Sequence, residues 1–106
     1  MLDEVTRRAP RDHAAWFALG ECRLALIDEA GARIALEKAV ELHPTEARYR
    51  VAFASTLRGI GDLEGAERQA REARRLDPQS SAAHFELAQA VWERSGAVPE
   101  VETLLK

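Results

Sequence analysis

The 106-residue sequence lacks several features, and each absence excludes a class of protein. No apolar run approaches the roughly 20 residues that a membrane-spanning helix needs, so we expect no membrane partner. Cys22 is the single cysteine, which excludes an intramolecular disulfide and suits a reducing compartment. Basic residues number 15 against 18 acidic ones, so the cationic excess of a non-specific nucleic-acid binder is missing. The charged start, MLDEVTRRAP, has no signal-peptide stretch, and we expect a cytoplasmic protein.

The sequence also lacks the residue spacings of a catalytic or metal site. Neither His-Glu-x-x-His nor Cys-x-x-Cys occurs, and the glycines of 59–61 lack the lysine and preceding strand of a phosphate loop. His13, His43 and His84 fall at predicted helix boundaries, where we expect partly exposed side chains. We expect Cys22 to be a buried, inert thiol. The sequence therefore predicts no enzyme, no metal and no cofactor.

What the sequence does contain is a repeat with a period of 34 residues. Pro10, Pro44 and Pro78 are separated by that interval. Small and apolar positions recur at the same offset: Leu19, Phe53 and Leu87; Gly20, Ala54 and Ala88; Ala32 and Ala66; Ala39 and Ala73; Leu42 and Leu76. Because no single unit can bury its apolar face alone, neighbouring units should stack around one continuous core.

Each unit is predicted to be a pair of helices. Apolar residues recur at helical spacing from Ala14 to Leu26 and again before Pro44. The predicted helix starts are capped by Asp12, Asp28, Thr45 and Asp62, and Ser80 or Ser81 is predicted to start the third unit. We expect residues 59–61 to break a helix, residues 67–75 to form a solvated outer face, and a last helix to begin at Pro99.

These residues resemble the tetratricopeptide repeat (TPR), a 34-residue helix pair. The first unit matches its pattern at Trp16, Leu19, Gly20, Ala32, Leu36, Ala39 and Pro44. Arg23 and Ile27 depart from it, since the pattern has a tyrosine and a turn glycine there. The resemblance implies an all-α, right-handed α-solenoid of antiparallel helix pairs. We expect a single domain over residues 1–106, with about three units and truncated terminal helices. Residues 1–11 would end a preceding helix, 12–45 and 46–79 form two repeats, and 80–106 form an incomplete third.

The resemblance also implies that the first helix of each unit lines a concave groove. The predicted groove residues are Phe17, Glu21, Leu24, Arg48, Val51, Ser55, Arg58, Phe85, Gln89 and Trp92. We predict a non-catalytic scaffold that binds a peptide or partner protein, with aromatic anchors and with Arg48 and Arg58 gripping an acidic group. In the alternative interpretation, the aromatics pack against neighbouring helices and the arginines merely solvate the face. Chaperone-tail binding is disfavoured, since Phe17, Glu21 and Ala25 stand where such proteins have a lysine–asparagine clamp.

Both ends of the sequence read as incomplete. The chain could be part of a longer repeat protein, or an accessory domain of a larger one. Alternatively, it could form a homo-oligomer through its terminal helices, burying Leu104 and Leu105, or Leu2 and Val5.

Overall fold

A computed structural model describes residues 11–95, which form five α-helices and no strand. Their bounds are α1 His13–Ala25, α2 Glu29–Leu42, α3 Ala47–Ile60, α4 Leu63–Leu76 and α5 Ser81–Ser95. α1 packs against α2, α3 packs against α4, and α5 packs against both helices of the second pair. The predicted all-α solenoid of helix pairs is confirmed.

Several predictions concern residues outside the described range. They include the burial of Leu2 and Val5, or of Leu104 and Leu105, in a homo-oligomer, and the last helix predicted to begin at Pro99. Among residues 11–95, no helix is long and apolar enough to cross a membrane.

The helix starts follow short polar side chains, as the sequence predicts, with one exception. The side chains of Asp12, Asp28, Asp62 and Ser80 each accept a hydrogen bond from the backbone N–H three residues further on. Such a cap satisfies a helix N–H that has no partner inside the helix. The prediction of Thr45 as a cap is wrong. α3 begins at Ala47, which places Glu46 at the cap, and its carboxylate accepts from the backbone N–H of Arg48 at 3.4 Å.

The two turns inside the helix pairs share one backbone conformation. Ile27 has φ +59° and Gly61, exactly one repeat later, has φ +104°. Both angles lie in the left-handed region, which glycine adopts freely and a β-branched residue does not. The predicted helix break at residues 59–61 is correct only for Gly61, because α3 continues through Gly59 and Ile60.

The core forms where small residues bring paired helices together. Gly20 lies so close to α2 that an added Cβ would sit 2.7 Å from Leu36 Cδ2. The alanines at the close contacts have almost no exposed surface: Ala32, Ala35, Ala39, Ala54, Ala66, Ala70 and Ala73. Ala88 was predicted to belong to this set but is exposed, because no second helix among residues 11–95 covers that side of α5.

Two expectations about exposure are wrong. Cys22 is exposed rather than buried, because the C-terminal part of α1 is covered only on the side of Arg23 and Leu24. The charged segment 67–75 is not wholly a solvated face. Glu67 is buried, and its carboxylate pairs with Arg71 at 2.7 Å and with Arg94 of α5 at 2.6 Å.

Candidate interaction site

The ten predicted groove residues lie on α1, α3 and α5, and we call the surface that they form the first-helix face. Their exposure divides them. Glu21, Arg48, Phe85 and Trp92 are exposed; Leu24, Val51, Ser55, Arg58 and Gln89 are partly exposed; Phe17 is buried. The face is therefore mixed in polarity, and its largest apolar side chains stand at the α5 end.

Phe85 and Trp92 are the exposed aromatics of this face. They are seven residues apart on α5, which places them on one side of the helix, two turns from each other. The two residues are 49% and 48% exposed. Gln89 lies between them in sequence and is partly exposed. Two half-exposed aromatics on one helix face offer apolar area that the described residues do not cover.

Phe17 belongs to the packing between the first two helix pairs. Its ring stacks on that of Tyr49, with centroids 4.6 Å apart. The guanidinium carbon of Arg48 lies 5.2 Å from the Phe17 centroid and 5.8 Å from that of Tyr49. A cation over an aromatic ring is attracted by the negative ring face. The Phe17 ring is therefore buried and contacts Arg48, and it is not exposed on the surface.

Tyr49 joins two histidines, and this cluster was not anticipated. His13 Nδ1 lies 2.7 Å from the Tyr49 hydroxyl oxygen, and the His13 and His43 rings stack at 4.3 Å. Burial raises the pKa of Tyr49, so the hydroxyl keeps its proton. The repeat carried no signal for Tyr49, because its equivalents one unit away are Ala15 and Ala83. His13 and His43 are partly exposed, as predicted for helix boundaries.

Arg58 connects α3 to α5 by two ion pairs. Its Nε donates to Glu86 Oε2 at 3.1 Å, and its Nη1 donates to Glu93 Oε2 at 3.3 Å. The hydrogen bond to Glu86, more than any other contact, raises the pKa of Arg58 above its ordinary value. The sequence reasoning missed Glu86, whose repeat equivalents are Ala18 and Ala52. The two predicted arginines therefore differ: Arg58 is paired with carboxylates, and Arg48 rests on aromatic rings.

Within residues 11–95 no three His, Cys, Asp or Glu side chains are grouped so that they could hold a metal ion. In the same range, no buried side-chain nitrogen or oxygen lacks a hydrogen-bond partner. The first-helix face carries two half-exposed aromatic residues, Phe85 and Trp92; Arg48, which lies over aromatic rings; and Arg58, which lies between two carboxylates. Aromatic residues and arginine are enriched at protein–protein interfaces.

Comparison with known families identifies the repeat. The sequence profile described as "Tetratricopeptide repeat" matches residues 1–47 and 51–100. This chain belongs to the tetratricopeptide repeat family. A search of curated proteins finds no match.

Solved structures with the same fold include three named proteins. The crystal structure of MamA has a TM-score of 0.83 at 20% identity, covering 90% of this chain and 55% of that one. The first TPR of Spaghetti (RPAP3), bound to the HSP90 peptide SRMEEVD, has a TM-score of 0.84 at 16% identity, covering 89% and 75%. The Yersinia enterocolitica secretion chaperone SycD, with a peptide of the translocator YopD, has a TM-score of 0.77 at 18% identity, covering 88% and 76%. This chain thus spans only about half the length of the MamA chain.

Proposed function

We propose that this TPR domain is a non-catalytic scaffold that binds a peptide, or a peptide segment of a partner protein, on the first-helix face. The observation that carries the proposal is the pair of half-exposed aromatics, Phe85 and Trp92, on one side of α5. Aromatic side chains are over-represented among the residues that dominate binding energy at interfaces, because they bury large area with few rotatable bonds. Two structural neighbours, the RPAP3 domain and SycD, are bound to peptides, which supports the proposal by analogy of fold.

The remaining groove residues complete the surface around these anchors. Leu24 and Val51 are partly exposed and add apolar area on α1 and α3. Ser55 and Gln89, also partly exposed, supply hydrogen-bonding groups between the apolar ones. An apolar centre with a polar surround is typical of surfaces that hold a peptide in one register.

Arg48 supplies the charge recognition of this face. It is exposed, and its guanidinium lies over the Phe17 and Tyr49 rings. These ring contacts restrict the movement of the guanidinium, so a ligand carboxylate would meet a partly preorganised cation. A ligand with apolar side chains for α5 and an acidic group for Arg48 fits the face best.

The test is selection of peptides from a random octapeptide phage library on the immobilised chain, followed by affinity measurement. We expect Trp92→Ala and Phe85→Ala each to weaken binding of the selected peptides about tenfold or more. Ile34→Ala is the matched control, because Ile34 is an exposed large apolar residue on α2, off the first-helix face. It should leave affinity unchanged, and circular dichroism should show all three variants folded. Selected peptides that bind Trp92→Ala and Phe85→Ala as tightly as the parent would refute the proposal.

Arg48 is tested separately by Arg48→Glu. The charge reversal should weaken peptides that carry Asp or Glu by several-fold, and should leave their Asn or Gln analogues nearly unaffected. Equal weakening of both peptide forms would show that Arg48 does not recognise a carboxylate.

A further inference from the structure

Two pairs of residues with the same spacing alternate along α5. Phe85 and Trp92 are seven residues apart, and so are Glu86 and Glu93, each carboxylate following an aromatic directly. The glutamates both bond to Arg58 of α3. A ligand seated on Phe85 and Trp92 would therefore lie beside the Arg58 guanidinium.

The two glutamates hold Arg58 unequally. The Glu86 side chain is 12% exposed and accepts from Nε at 3.1 Å, whereas that of Glu93 is 44% exposed and accepts from Nη1 at 3.3 Å. The Glu86 pair is the shorter and better shielded of the two, so water and salt screen it less. Each pair is made through one hydrogen bond, and the Glu93 pair is the longer and more exposed of the two, which makes it the weaker pair.

We propose that a carboxylate of the ligand displaces Glu93 from Arg58, and that Glu86 holds Arg58 in position during this exchange. The proposal rests on the proposed function and names the chemistry of its ligand: a peptide with a carboxylate next to the side chains that contact Phe85 and Trp92. Glu93 is then a residue that sets specificity, because a ligand carboxylate that binds Arg58 must displace it.

A ligand carboxylate can compete with Glu93 in this exchange for two reasons. The fork of a guanidinium can donate two parallel hydrogen bonds to one carboxylate from Nη1 and Nη2, whereas Glu93 accepts from Nη1 alone. Nε remains with Glu86 throughout, so the orientation of the fork is kept. The apolar anchors of the ligand also bring its carboxylate to Arg58 as part of the same molecule, which raises its effective concentration.

Glu93 opposes acidic ligands in two ways that a substitution can remove. It occupies Nη1, and its negative charge repels the incoming carboxylate. Glu93→Gln removes the charge while keeping the side-chain shape. We expect this variant to bind acidic peptides about two- to fivefold more tightly, the range that loss of one exposed ion pair implies.

The experiment compares the parent, Glu93→Gln and Glu37→Gln in selections from the same random octapeptide phage library. Glu37→Gln is the matched control, because Glu37 is an exposed glutamate of α2, off the first-helix face, and its substitution removes the same charge without touching Arg58. The Glu93→Gln selection should be enriched in Asp and Glu over the other two. One selected acidic peptide and its twin with Gln in place of Glu are then measured for affinity. The acidic form alone should gain from Glu93→Gln, and Glu86→Gln should reduce the preference for it.

Each outcome decides the matter. Peptides that depend on Phe85 and Trp92 but bind Glu93→Gln and the parent alike would overturn the exchange and leave the proposed function standing. An equal gain in Glu37→Gln would also overturn it, since the cause would then be net charge alone. Peptides that do not depend on Phe85 and Trp92 would remove the proposed function and this proposal together.

Discussion

The two junctions between successive units use different chemistry. The junction between the first two helix pairs is aromatic: Phe17 of α1 stacks on Tyr49 of α3, and His13 lies at hydrogen-bond distance from the Tyr49 hydroxyl. The junction between the second pair and α5 adds ion pairs to an apolar contact of Leu87 with Ala54 and Ala70: Arg58 bonds to Glu86 and Glu93, and Glu67 bonds to Arg94. Aromatic contacts thus distinguish the first junction, and ion pairs distinguish the second.

The contrast between the two junctions separates the residues that define the packing of a repeat from those that do not. Buried alanines recur at matching places in both pairs, such as Ala32 with Ala66 and Ala39 with Ala73. The ion-pairing residues of the second junction do not recur, since Glu67 corresponds to Arg33 and Arg94 corresponds to Ile60. Small residues fix how closely the helices approach. Any pair of side chains that fills the remaining space and satisfies its polar groups can then complete the junction.

Truncating the aromatic junction should have the largest effect on stability. Tyr49 is buried in contact with Phe17 and His13, so Tyr49→Ala should lower the free energy of unfolding by about 3 kcal/mol, through lost burial and a cavity. Urea denaturation measures this. Tyr49→Phe is the matched control and should cost only about 1 kcal/mol, for the hydroxyl contact. Equal losses in the two variants would mean that the hydroxyl rather than the ring stabilises this junction.

Neutralising the ionic junction should cost less and should depend on salt. Glu67→Gln removes the charge from two ion pairs, but Arg71 and Arg94 are both about half exposed and can return to water. We therefore expect a loss of about 1 kcal/mol at low ionic strength. That loss should shrink in 1 M NaCl, whereas the loss in Tyr49→Ala should not. A salt-independent loss in Glu67→Gln would show that packing, not charge, holds α5 to α4.

The two left-handed turns should respond in opposite directions to substitution. Ile27 holds a strained φ of +59° with an exposed side chain, so Ile27→Gly should stabilise the fold by about 0.5 kcal/mol after the entropy of glycine is counted. Gly61→Ala should destabilise it by about 1 kcal/mol, because φ at that position is +104°. Thermal unfolding of both variants measures the difference. A loss of stability in Ile27→Gly would mean that the isoleucine side chain has a contact that outweighs the strain.

The smallest effect concerns the caps of the two second helices at low pH. The backbone N–H of Gly31, and then Arg23, lower the pKa of Asp28 below its ordinary value of 3.8. A lowered carboxyl pKa in the folded state contributes stability above the unfolded value, and that stability is lost as the pH falls through the folded pKa. Melting temperatures between pH 7 and pH 2 should therefore fall less steeply in Asp28→Asn than in the parent.

Asp62 offers the matched comparison for Asp28, since it caps α4 in the same way. The repeat places Leu57 where the first pair has Arg23, so Asp62 has no arginine from that position. Arg23→Leu, which gives the first pair the residue of the second, should therefore make the melting temperature fall less steeply with acid than it does in the parent. An unchanged pH profile in Arg23→Leu would show that Arg23 adds nothing to the cap of Asp28.

Much of the fold could be predicted because it depends on local or periodic signals. The helix pairs follow from the 34-residue period, and the caps at Asp12, Asp28 and Asp62 follow from short side chains that reach a nearby backbone N–H. Failures arose where the outcome depends on a neighbouring helix. The burial of Glu67 requires Arg94 of α5, 27 residues away. Cys22 is exposed because its side of α1 is not covered by another described helix, and its spacing within α1 gives no sign of that.

The candidate site was also predicted only in part. Periodicity was sufficient to propose ten residues for the first helices, and it assigned Phe85 and Trp92 to one side of α5. It gave no means of distinguishing Arg48 from Arg58, although one lies over aromatic rings and the other bonds to two glutamates. Tyr49 and Glu86 were missed because their repeat equivalents are alanines, and a search for recurring residues passes over residues that occur once.

By itself the amino-acid sequence determined that this chain is built of stacked helix pairs, since hydrophobic periodicity and capping act over a few residues and repeat along the chain. Only the tertiary structure decided which arginine is paired, which aromatic is covered and which glutamate is buried. Those outcomes depend on side chains that meet across helices 20 to 40 residues apart, where a change of an ångström separates an ion pair from a solvated charge.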